Sequence, residues 1–110
     1  MSYYGAEKVI EHYNVMGPVK AALESAVRYL AYEFGPKGIR VHAPGPKRTR
    51  AASGIDHFDD LIERAAKLAP ERSLVSIEDV GMATAVLATD YAKLITGETA
   101  YVDVGYHIVG

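Results

Sequence analysis

Only two stretches of this chain read as β-strand, and a long helical region separates them. They are "IRVHA" at 39–43 and a run at about 99–104 inside "ITGETAYVDVG". With a further helix ahead of the first, the order is helix, strand, helices, strand. That is the order of a parallel α/β sheet whose helices cross from one strand to the next. Two strands do not make a sheet with both faces covered, and they leave edges that invite pairing with other chains. The pattern is therefore that of part of a larger fold, and 1–110 is read as one partial domain without repeats or linkers.

The first helix is set by its apolar spacing. Val19, Ala22, Leu23, Ala26, Val27, Leu30, Ala31 and Phe34 recur at intervals of three and four, which predicts a helix with these residues on its core face. Pro18 is harmless only in a first turn, so the regular helix is expected to begin near Asn14 to Gly17. "GPKG" at 35–38 stops it, with Gly35 expected as the residue after the C-cap and Pro36 preventing continuation. After "PGP" at 44–46 comes a polar loop, "KRTRAASGIDHF", leading into a helix over about 56–69 with Asp56 as N-cap. The last helix opens with Ser76 three residues before Asp79, close to a capping box, and carries Val80, Ala83, Val86 and Leu87 on one face.

Twelve basic and fourteen acidic residues leave a net charge of −2, so no global field recruits nucleic acid or an anionic membrane. The "KRTR" cluster at 47–50 lacks the aromatic interleaving of a nucleic-acid patch. There are no cysteines, which removes disulfides, thiolate metal sites and cysteine nucleophiles. His12, His42, His57 and His107 show no ligand spacing, so no metal site is expected. The start lacks a signal-peptide pattern and no apolar run approaches a membrane span, giving the expectation of a soluble cytoplasmic protein without nucleic-acid or membrane partners.

Tyr13 and Lys20 stand seven residues apart at the head of the first helix. Two helical turns would put them on one face, roughly 10 Å apart along the axis. Taken alone this is an ordinary pair of surface residues; its neighbours change that. "SYYGAEKVIEHYNVMGPVKAALES", "GIRVHA", "PGP", "RTRAASGI", "SIEDVG" and "ITGETAYVDVGYHIVG", in order, closely resemble the C-terminal half of the bacterial NADH-dependent enoyl-acyl-carrier-protein reductases, of the short-chain dehydrogenase/reductase superfamily. The resemblance covers essentially the whole chain. It implies an α/β fold, the C-terminal half of a Rossmann-like doubly wound parallel sheet, with a long catalytic helix, about two strands and two to three further helices.

It also implies a chemistry. Enzymes of that family move hydride from NADH to C3 of a trans-2-enoyl thioester carried on acyl carrier protein, in fatty acid biosynthesis. By resemblance Tyr13 hydrogen-bonds the thioester carbonyl oxygen, a task suited to a phenol that is neutral near pH 7 and can donate. Lys20 is implied to hold the nicotinamide ribose hydroxyls, and its ammonium would also favour a phenolate nearby. Tyr3 matches a second tyrosine lining the acyl site. Lys47 and Thr49 match cofactor-contacting positions. Ala51, Ala52, Ile55 and Phe58 match a mobile segment over the acyl chain, where small and apolar side chains suit a fatty thioester. Tyr4 and Lys8 show the Tyr-x3-Lys spacing common in the superfamily and are read as a decoy. The family is tetrameric, and residues 14–34 are expected to contribute to subunit contacts.

Three departures stand beside the resemblance. No glycine-rich turn between a first strand and helix occurs, and that turn holds the dinucleotide pyrophosphate in such folds. The isolated chain is thus expected neither to bind NADH tightly nor to turn over by itself. The family carries two further residues between Ala43 and Pro44, whose loss shortens the strand's reach by about 7 Å. Val104 stands where the family has glycine, and a β-branched residue would be strained there if the backbone needs positive φ. These departures fit a truncated or degraded gene product. A noncatalytic fragment that associates with itself or with full-length reductase is the alternative, and a carbonyl reductase of the same superfamily a third reading.

Overall fold

Pro18 and Gly38 bracket the longest element. The computed structural model describes residues 1–46, 60, 63 and 66–109. In it α1 spans Met16–Phe34, with Pro18 in its first turn where a missing N–H costs nothing. The expected start is met. The expected stop is met in place but not in detail: Gly35 is still right-handed, a single 3-10 turn Gly35–Lys37 follows, and the left-handed residue is Gly38 at φ 72°. Pro36 explains the shift, because its fixed φ fits the start of a 3-10 turn, whose first N–H groups need no internal partner.

The strand expected at 39–43 is found only in part. β1 is Gly45–Pro46 and pairs in parallel with β2, Tyr101–Val102, while His42 makes an isolated parallel bridge to Glu98. All these pairings keep one register, so a single extended segment is interrupted rather than moved. Pro44 is the interruption. The N–H groups of Ala43 and Gly45 donate to Glu98 and Ala100 at 3.1 and 2.8 Å, whereas the Pro44 carbonyl faces the other way and accepts from the Ser2 N–H at 3.0 Å. A proline is tolerated there because its absent donor points away from the partner strand.

α2 spans Ile77–Ala88 and opens with the capping box that the sequence suggested. The Asp79 N–H donates to Ser76 Oγ at 3.1 Å, and the Ser76 N–H donates to the Asp79 carboxylate at 2.8 Å. Its other end is closed by Arg40, whose guanidinium donates to the carbonyl oxygens of Leu87, Ala88, Thr89 and Ala92. This fork places a cation on the negative end of the helix and ties it to the strand segment. Helical backbone is also found at 60, 63 and 66–68, within the helix expected at 56–69; Asp56 lies outside the described residues.

Among the described residues the apolar core is small. The core cluster is Ala69 and Tyr106, with Tyr3, Ile10, Tyr101, Val104 and Val109 packed on it. α1 buries Glu24, Val27 and Ala31, while Val19, Ala22, Ala26 and Leu30, expected on the core face, are exposed. The helix has a second apolar side facing away from the core. Among the described residues no helix is long and apolar enough to cross a membrane.

Arg40→Ala should lower stability by about 2 kcal/mol, since it strands several carbonyls that a charged donor now satisfies. Arg40→Lys keeps the charge without the fork and should cost about half as much. Thermal melting followed by circular dichroism checks both.

Candidate active site

Tyr13 does not lie on the regular helix. It sits in the turn before α1, between two non-glycine residues with left-handed backbone, His12 at φ 62° and Asn14 at φ 47°. Both residue types tolerate that region better than most, yet two in three positions is a concentration of strain of the kind found at sites that hold a side chain in place. The Tyr13 N–H donates to Ile10 and its carbonyl accepts from Met16, both at 3.1 Å, which closes the turn around it. Gly5 lies flat on the ring: a Cβ there would stand 2.7 Å from Cδ1 and Cε1 of Tyr13.

The Tyr3 ring meets Tyr13 edge-on, with centroids 5.0 Å apart and planes at 62°. Lys20, one of the inner-face residues of α1, donates from Nζ to the Met1 carbonyl at 3.0 Å. Of the residues singled out from sequence, Tyr13 and Lys20 each contact the segment Met1–Tyr3, Tyr13 through the Tyr3 ring and Lys20 through the Met1 carbonyl. The remaining six, Lys47, Thr49, Ala51, Ala52, Ile55 and Phe58, lie outside the described residues. A cleft of about 490 Å³ opens beside Tyr13, lined by Gly5, Ala6, Ile10, Tyr13, Pro18 and Ala21 among others. Lys8, the partner in the decoy spacing, is exposed.

Burial sets the protonation of the two phenols. Tyr13 is 6% exposed and is held above the usual tyrosine range by loss of solvent. Tyr3 is pushed further up, by burial first and then by Tyr106, Tyr13 and Asp103 around it. Both are neutral donors near pH 7. Tyr13 is thus not shifted toward a phenolate.

Sequence reasoning missed the polar parts that hold this site. Ser2 and Glu24 are buried and hydrogen-bonded to each other. Tyr101 stacks on His107 at 4.4 Å and donates to Glu7 at 3.2 Å. The one available signal was Glu24, four residues after Lys20 on the face that also carries Val27 and Ala31.

Residues 1–107 match the family model described as enoyl-(acyl carrier protein) reductase. The chain belongs to the enoyl-acyl-carrier-protein reductase family. It is 53% identical to the NADH-dependent enoyl-acyl-carrier-protein reductase of Aquifex aeolicus, over all of this chain and 42% of that protein, and 48% identical to the Escherichia coli enzyme over 98% of this chain and 42% of the other. The alignment to the Aquifex protein runs to 112 positions against 110 residues here, so that reductase carries residues this chain lacks. Its crystal structure superposes with a TM-score of 0.93 over 99% of this chain and 43% of its own, at 50% identity. A reductase from Anaplasma phagocytophilum solved in complex with NAD superposes at 0.90, covering 99% of this chain and 42% of that one, at 48% identity. The chain spans about two-fifths of the length of these relatives. Their Rossmann-like fold settles the α/β class.

The raised phenols make a stability prediction with a definite sign. Unfolded tyrosines ionise near pH 10, whereas Tyr3, Tyr13 and Tyr101 keep their protons to higher pH when folded. Their contribution is intact below about pH 10 and is lost as pH rises beyond it, because the unfolded state releases protons first. Melting temperatures measured from about pH 8 to about pH 11 should fall at the alkaline end, and Tyr3→Phe should flatten that fall.

Proposed function

We propose that this chain carries the catalytic-helix half of an NADH-dependent enoyl-acyl-carrier-protein reductase, acting on trans-2-enoyl thioesters. The observation that carries the reading is that Tyr13 and Lys20, at the head of α1, both contact one short segment that includes Tyr3. NADH, when bound, supplies the hydride that adds at C3 of the enoyl group. The electron pair of the double bond would move toward the thioester carbonyl, whose oxygen would gain negative charge before C2 takes a proton from solvent. Tyr13, neutral and fixed by its turn, donates to that oxygen where charge develops. Tyr3 stands edge-on to it and limits where the thioester can lie. Lys20 spends one of its three donors on Met1, leaving two that suit the ribose hydroxyls.

Lys47 and Thr49 complete the cofactor side of this reading, and Ala51, Ala52, Ile55 and Phe58 the acyl side, by their place in the family pattern. No glycine-rich phosphate cradle accompanies them, so activity of these 110 residues alone is not part of the proposal. A hybrid in which they replace the matching segment of the Aquifex aeolicus reductase should reduce a crotonyl thioester with NADH and leave a ketoacyl thioester untouched. Tyr13→Phe in the hybrid should lower kcat by about a hundredfold or more with KM little changed, the cost of one oxyanion donor. Turnover of the ketoacyl thioester instead, or an unchanged kcat, would overturn the assignment. Calorimetric titration of the chain itself with NADH, with Lys20→Ala as control, asks separately whether this half keeps a cofactor site.

A second reading, as an association module, has its own observation. Val15, Val19, Ala22, Ala26, Tyr29 and Leu30 form an exposed stripe on the side of α1 opposite its buried face, with small residues at its centre that allow close helix approach. Self-association through this stripe would fit the oligomers expected of the family. Light scattering should give a multimer for the wild type and a smaller mass for Ala22→Glu and Ala26→Glu; a monomeric wild type would rule this out.

A further inference from the structure

Glu24 occupies a position where packing alone would choose an apolar residue. It is 6% exposed and shares the inner face of α1 with Val27 and Ala31. Removing a carboxylate from water is costly unless hydrogen bonds compensate, so its presence calls for a partner. That partner is Ser2, 2% exposed, whose hydroxyl donates to Glu24 Oε1. Ser2 is held from the other side as well, since its N–H donates to the Pro44 carbonyl at 3.0 Å. One turn earlier on α1, Lys20 holds the Met1 carbonyl. The residue that follows this doubly gripped segment is Tyr3, 5.0 Å from Tyr13. Tyr101 lies on the same side and donates from its phenol to Glu7, on the loop that leads to Tyr13, at 3.2 Å.

We propose that Glu24 is a positioning residue: by holding the Ser2 hydroxyl against α1, it fixes where the Tyr3 ring stands relative to the Tyr13 phenol. Its importance for catalysis rests on the functional reading above, but the geometry it sets is measurable without substrate or cofactor. Substitutions separate this role from bulk packing. Glu24→Leu fills the volume and removes the acceptor, whereas Glu24→Gln keeps a carbonyl oxygen for Ser2. On the other side of the bond, Ser2→Ala removes the donor and Ser2→Thr restores it.

The test is nuclear magnetic resonance on the whole chain with ring-labelled tyrosine, the Tyr3–Tyr13 cross-peaks being assigned with a Tyr3→Phe variant and helix content followed by circular dichroism. Glu24→Leu and Ser2→Ala should lose the ring-to-ring cross-peaks at unchanged helix content, while Glu24→Gln and Ser2→Thr keep them. Retention of the cross-peaks in both Glu24→Leu and Ser2→Ala would overturn the proposal. Should Glu24→Leu fail to fold, the Ser2→Ala and Ser2→Thr pair decides it alone. Absence of enoyl turnover in the hybrid enzyme would sink the functional reading and leave this result standing.

Discussion

The candidate site depends on a helix holding an extended segment that has no regular structure of its own. Lys20 and Glu24, one turn apart on α1, take a carbonyl from Met1 and a hydroxyl from Ser2, and Pro44 takes the Ser2 N–H. These bonds add to the hold on Tyr3, whose carbonyl accepts from the Ala6 N–H at 2.9 Å and whose ring packs on the Ala69 and Tyr106 cluster, because three residues of extended chain bury too little to order themselves. With them, Tyr3 and Tyr13 meet at an angle favoured by aromatic pairs. The strain at His12 and Asn14 is then intelligible, since the turn must bring Tyr13 back over Gly5 toward a ring whose place is already fixed.

Away from the site the elements are joined by polar contacts more than by a core. Arg40 ties the strand segment to the end of α2, and the Thr96 hydroxyl accepts from the Val41 N–H at 3.0 Å. Large apolar residues remain outside, among them Tyr91 and Leu94, both more than nine-tenths exposed. Among the described residues His42 has both ring nitrogens buried without a hydrogen-bond partner, a cost of about 1–3 kcal/mol. Such a surface suits half of an α/β sheet, and the relatives are more than twice as long as this chain.

What was legible in the sequence was what local rules decide. The Ser76 capping box, the first turn at Pro18 and the end of α1 each depend on a few adjacent residues. The buried side of α1 was not legible, because Val19, Ala22, Ala26 and Leu30 make as good an apolar face as the one containing Val27 and Ala31. A charged residue, Glu24, marks the true inner face, and the periodicity argument counts such a residue as outside. The interrupted strand has a similar cause. The stretch 39–43 reads as extended by residue type, but the direction in which Pro44 points depends on which neighbour the segment pairs with. Tyr13 and Lys20 were found through motif, and their convergence arises through Met1–Tyr3 rather than through two turns of regular helix.

The turn after β2 shows how a β-branched residue is held in a backbone conformation that suits glycine. Val104 is left-handed at φ 52°, followed by Gly105 at φ 82°, so the strain anticipated for a β-branched residue is present. Such a conformation costs roughly 1–2 kcal/mol without a glycine. Asp103 offsets it: its buried carboxylate accepts the N–H groups of Gly105 and His107 at 3.2 and 2.9 Å and lies 2.9 Å from His107 Nδ1. Hydrogen bonds to a charged group contribute about 1.5–3 kcal/mol each, so this set outweighs the strain. His107 in turn stacks on Tyr101, and Tyr106 packs with Tyr3 in the core cluster. The turn is therefore held by the same residues that border the site, and the backbone at Val104 follows them rather than its own preference.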